Sequence, residues 1–177
     1  MIFFSIIIVL YGLINTYIYV RGLQVFSLGS PLRIWFTVVF WFLSLSYIAA
    51  RLLERIALSW LTDGLVWIGS FWMGAMAYFL IILLAIDLLR LGNYIVPFFP
   101  DFLTRNLRYT KQVAALIVVG IVFLTVIGAR VNAMFPRIQT LELTIHKNSP
   151  LKELNVALVT DVHLGTIICN SHFTRIV

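Results

Sequence analysis

Charge is scarce in this chain. Asp, Glu, Lys and Arg make up 11% of its 177 residues, against about 25% in ordinary soluble domains, which excludes a water-soluble globular domain over most of the length. Cysteine is nearly missing too, and the single Cys169 allows no internal disulfide framework. Acidic residues are few, 7 against 13 basic ones, for a formal charge of +6. The basic residues nevertheless occur between apolar runs, without a dense cluster or an aromatic-interleaved patch, so nucleic acid is excluded as a partner. Arginines beside membrane spans, facing anionic lipid headgroups, account for the charge. The N-terminus lacks the basic n-region and small-residue cleavage site of a secretory signal peptide, so its apolar run is expected to be retained. No internal repeat emerges at a fixed period.

What the chain has in abundance is apolar length. The hydrophobic fraction is 62%, beyond the roughly 45 to 50% of soluble domains. A helix needs about 20 apolar residues to cross a hydrocarbon core. Runs of that size predict four transmembrane helices over 2–20, 32–50, 65–91 and 113–134, so residues 1–134 read as a helical membrane anchor. Gly12 and Asn15 in the first span suit helix packing, as do Gly69, Ser70, Gly74, Ala75 and Ala77 in the third. Trp35, Phe36, Phe40, Trp41 and Phe42 in the second span read as lipid-facing or interfacial. The stretch 51–64, with Arg51, Glu54, Arg55 and Asp63, reads as the wet end of a helical hairpin. The stretch 92–112, with aromatics followed by Arg105, Arg108 and Lys111, suits an interfacial segment.

Asp87 is the one acidic residue in apolar surroundings within the spans. An intramembrane acid is a functional hypothesis by default. Here Arg90 follows three residues later on the same helix face, and a snorkelling pair at the interface is the expected reading, since one acid offers a proton relay no next stop. Four spans put both termini on one side. Arg21, Arg33, Arg90, Arg105, Arg108 and Lys111 in the first and third connections outweigh Arg51, Arg55, Arg130 and Arg137 on the other side. By the positive-inside rule that balance favours extracytoplasmic termini in a multi-pass protein of the cell membrane.

After Arg137 the pattern changes. Ile138, Leu141, Leu143 and Ile145 alternate with polar residues, a strand signal. Lys147 to Pro150 supplies a turn. Val156, Ala157, Leu158 and Val159 then form a short apolar run suited to a strand buried on both faces of an α/β sheet. Asp161 and His163 come where that strand should end, the place where open α/β sheets carry their chemistry. Alternate residues of extended chain point the same way, so the two side chains can grip one ion. Carboxylate oxygen and imidazole nitrogen together fit zinc, manganese or iron better than calcium. His146 and His172 read as surface residues.

The sequence from Leu154 to Gly165, with the strand-like segment before it and the helix-like Ser171 to Val177 after it, resembles the opening of a calcineurin-like metallophosphoesterase domain of the membrane-anchored kind. The resemblance covers roughly the last forty residues. It implies that 135–177 begins an α/β metallophosphoesterase sandwich, and that Asp161 and His163 bind the first of two divalent metal ions. It also implies a phosphoester substrate, whether a phosphomonoester, a diester or a lipid-linked pyrophosphate, the membrane anchor being in keeping with the last. The family's later motifs, Gly-Asp, Gly-Asn-His-Asp or Glu, and Gly-His-x-His, do not occur before Val177. The chain is therefore expected to be the N-terminal part of a phosphoesterase, inactive by itself, because two ligands cannot hold a two-metal clamp. The competing reading is a non-enzymatic polytopic scaffold or sensor with a chance Asp-x-His tail.

Overall fold

The computed structural model describes residues 2–56, 59–134 and 141. Among them every regular element is a helix: α1 (Ile2–Leu23), α2 (Pro31–Leu53), α3 (Trp60–Ile95), the short α4 (Asp101–Arg105) and α5 (Leu107–Met134). The strands expected over 138–146 and 154–165 lie outside the described residues, apart from Leu141, which belongs to no regular element. The chain divides into two units, 1–130 and 131–177. The first contains the helical bundle. Of the second, residues 131–134, the end of α5, and Leu141 are described.

α1, α2, α3 and α5 are each long and apolar enough to cross a membrane. All four run past the expected limits, for local reasons. α2 starts at Pro31, a residue whose fixed φ suits the first helical position, directly after a turn in which Gly29 takes φ 83°. α3 starts at Trp60, five residues earlier than the apolar run suggests. There Ser59 accepts from the Thr62 amide at 3.4 Å and donates its own backbone N–H to Thr62 Oγ1 at 2.9 Å, a capping box. Asp63 falls in the first turn, where a negative charge suits the helix dipole. α3 continues to Ile95 and stops because Val96 precedes Pro97 and is extended, with φ −128° and ψ 104°.

The 36 residues of α3 give about 54 Å at 1.5 Å per residue, far more than a hydrocarbon core of about 30 Å. Even a tilt of about 40° leaves both ends beyond the hydrocarbon. Asp87 and Arg90 lie within about 12 Å of the Ile95 end.

α2 packs closely on α3, and α1 lies against both. Ile18, Phe40 and Trp72 form the buried centre, one from each helix, with Tyr19, Phe36 and Phe79 around them. Phe40 meets Trp72 edge-on at 5.0 Å and Tyr19 at 5.3 Å between ring centroids. The second-span aromatics thus divide: Trp35 and Phe42 are exposed, as expected, whereas Phe40 is only 3% exposed and holds the helices together. At Gly69 an added Cβ would lie 2.5 Å from the Tyr47 backbone nitrogen, so α3 touches the α2 backbone there. Gly12 and Gly74 make no such approach. Elsewhere apolar side chains face outward, Phe3, Phe4, Ile6 and Leu13 on α1 and Leu116, Phe123 and Leu124 on α5 among them. Exposed apolar surface of that extent requires lipid.

Candidate functional site

Asp161 and His163, the expected metal ligands, lie outside the described residues. Among the described residues no group of three or more His, Cys, Asp or Glu side chains could hold a metal ion.

The helices do assemble a polar cluster. Asp87 on α3 is ion-paired through Oδ2 with Arg21 Nη2 on α1, and the same carboxylate oxygen accepts the Tyr17 hydroxyl at 2.6 Å. Tyr17 and Arg21 are one helical turn apart, and the guanidinium lies 5.7 Å from the Tyr17 ring centroid. Arg90, the partner expected from sequence, is on the other carboxylate oxygen at 4.0 Å, and its side chain is 53% exposed. The snorkelling pair therefore exists but is the weaker of two. The stronger partner comes from a helix 66 positions away in sequence. Helix order carried a signal for it: α1 and α3 are both odd-numbered spans, so Arg21 and Asp87 near their C-terminal ends fall on one side of the membrane.

A second cluster lies deeper. Asn15 is 1% exposed, yet all its amide groups are used. Nδ2 donates to Tyr11 O at 2.9 Å and to Met76 Sδ at 3.1 Å, and Oδ1 accepts from Trp72 Nε1 at 2.9 Å. Tyr11 in turn donates its hydroxyl to Ser44 O at 2.6 Å. This network ties α1 to α2 and α3. Its role is packing, as the sequence suggested for Asn15.

Beside the Arg21–Asp87 pair a groove of about 240 Å³ opens between the helices. Its walls are apolar, with Phe36, Phe79, Leu83 and Val118 among them, and Arg21, Asp87, Arg90 and Lys111 lie along it. A second groove of about 460 Å³, between α3 and α5, is lined by apolar side chains alone. At its edge the Arg130 guanidinium covers the Trp67 ring at 4.8 Å from the centroid, a cation–π contact.

Among the described residues the fold is four helices long and apolar enough to cross a membrane, with an ion-paired cluster joining α1 to α3. No protein-family model, no curated protein and no solved structure matches the chain.

Proposed function

We propose that the chain is the membrane anchor and opening segment of a metal-dependent phosphoesterase. One observation carries the reading: the apolar run 156–159 leads directly into Asp161-Val-His163-Leu-Gly165, a carboxylate and an imidazole spaced to face one ion from the end of a strand. The four apolar helices ahead of it support a catalytic segment held at a membrane. In this reading Asp161 and His163 would hold the first of two divalent ions, and the pair of ions would supply Lewis-acid polarisation of a phosphoryl oxygen and a water acidic enough to act as nucleophile. The reading requires further ligands from residues outside this sequence, and a membrane-held substrate, a lipid-linked phosphoester or pyrophosphate, suits the anchor.

The test uses the full-length protein, purified in detergent and loaded with manganese. Hydrolysis of a phosphomonoester, a phosphodiester or a lipid pyrophosphate is expected, together with bound metal measured by elemental analysis. Asp161→Ala and His163→Ala should each remove metal from the first position and abolish turnover. Wild-type protein that binds no metal and cleaves none of the three substrates would sink the reading and leave a membrane scaffold in its place.

A further inference from the structure

The groove beside the Arg21–Asp87 pair combines charged side chains with apolar walls. At one end stand three cations and a single carboxylate, Arg21, Arg90 and Lys111 against Asp87. Arg21 is neutralised by its ion pair with Asp87. Arg90 keeps only the 4.0 Å approach to that same carboxylate, and Lys111 is exposed and makes no ion pair among the described residues. Two positive charges, those of Arg90 and Lys111, are thus left over along the groove. From them an apolar slot runs inward between α1, α2, α3 and α5, past Phe79 and Val118. Water in such a slot would face walls with almost nothing to hydrogen-bond, and an empty slot would forfeit dispersion contacts. In a bilayer the available filler is an acyl chain.

We infer that this groove binds one anionic phospholipid, its phosphate between Arg90 and Lys111 and one acyl chain in the slot. The volume agrees with partial insertion. About 240 Å³ is below the roughly 300 to 1,000 Å³ of pockets that enclose a drug-sized ligand, so one chain enters and the rest of the lipid stays in the bilayer. Asp87 sets the selectivity. It does so by neutralising Arg21 alone, which leaves Arg90 and Lys111 to attract a headgroup of net negative charge, whereas the trimethylammonium of a zwitterionic headgroup meets them as a like charge. The inference is independent of the phosphoesterase reading, because it uses neither Asp161 nor His163.

The experiment is native mass spectrometry of the full chain released from detergent, titrated with phosphatidylglycerol or phosphatidylcholine of identical acyl composition. One phosphatidylglycerol should be retained at concentrations where phosphatidylcholine is not, and free glycerol phosphate should fail to compete. Arg90→Gln combined with Lys111→Gln should raise the half-saturating lipid concentration about 30-fold, each cation near an anionic headgroup being worth about fivefold. Both side chains are exposed, so the fold should survive, with helicity checked by circular dichroism. Arg105→Gln combined with Arg108→Gln, on the same membrane side but outside the groove, should leave retention unchanged. Ala115→Phe should fill the slot and weaken retention with every cation in place. Equal retention of both lipids, competition by glycerol phosphate, equal weakening by the two double variants, or an Ala115→Phe variant that folds and binds normally would each overturn the inference.

Discussion

Arg21 reaches Asp87 across two helices that adjoin in space but are separated by the whole of α2 in sequence, and Tyr17, one turn back on α1, donates to the same carboxylate oxygen. The pair joins α1 to α3 near the C-terminal ends of both helices. Its side chains keep 28% and 24% of their exposure, which sets it between a surface pair worth about 0 to 1 kcal/mol and a buried pair whose breakage costs about 3 to 5 kcal/mol. Asp87→Asn is therefore expected to lower stability by about 1 to 2 kcal/mol, read from reversible unfolding in mixed detergent micelles. Arg21→Gln added to Asp87→Asn should cost less than the sum of the two single changes. Strict additivity in that double-mutant cycle would mean that the two side chains do not interact.

Asn15 is a sharper case, because its neighbours depend on it more than it depends on them. Replacing it with Leu strands the Trp72 indole N–H in the buried centre. Interhelical hydrogen bonds in membranes average only about 0.6 kcal/mol and reach about 1.7, so a loss of about 1 to 2 kcal/mol is expected, including the unpaired donor. Trp72→Phe in the Asn15→Leu background should recover part of that loss. A further loss on adding Trp72→Phe would show that packing of the indole outweighs its hydrogen bond.

The membrane spans were legible in the sequence because length and apolar content alone define them. The ends of the helices were less so. Thr62, Asp63 and Gly64 look like loop residues in composition, but the Ser59–Thr62 capping box makes them the first turn of α3. Phe40 could not be separated from Trp35 and Phe42 by residue type, because all three are large aromatics on one helix and only docking against Tyr19 and Trp72 marks Phe40 as buried. Arg90 was visible as a partner for Asp87 through local spacing, whereas Arg21 depends on how α1 docks on α3. Of the candidate sites, the metal pair Asp161 and His163 stands on its motif alone, and the groove cations emerge only when α1, α3 and α5 are assembled.

The small residues of the third span separate into those that touch and those that do not. Gly69 has the Tyr47 backbone and Cβ within 2.6 Å of where its own Cβ would be, and Gly74 has nothing within 4 Å. Gly69→Ala should force α2 and α3 apart, at an overpacking cost of about 1 to 3 kcal/mol. Gly74→Ala should be neutral or stabilising by up to about 1 kcal/mol, since Ala is the better helix former. Thermal unfolding of the two variants side by side decides the point. Equal effects would mean that α2 and α3 do not meet at Gly69.

Metal removal should divide the protein's properties in the same residue-specific way. The described residues contain no cluster of three His, Cys, Asp or Glu side chains, and α1, α2 and α3 are joined by apolar contacts, the Asn15 network and the Arg21–Asp87 pair. None of these uses a metal. Under the proposed phosphoesterase function, chelation with EDTA is therefore expected to abolish hydrolysis by the full-length protein while leaving the helical signal of the bundle and its resistance to detergent unfolding unchanged. Asp161→Ala should reproduce the loss of hydrolysis without chelator, and manganese should restore activity to chelated wild-type protein but not to the variant. Loss of the helical bundle on chelation would contradict this assignment, because it would place a structural metal among helices held together by packing and hydrogen bonds alone. Restoration of Asp161→Ala by manganese would remove Asp161 from the ligand set.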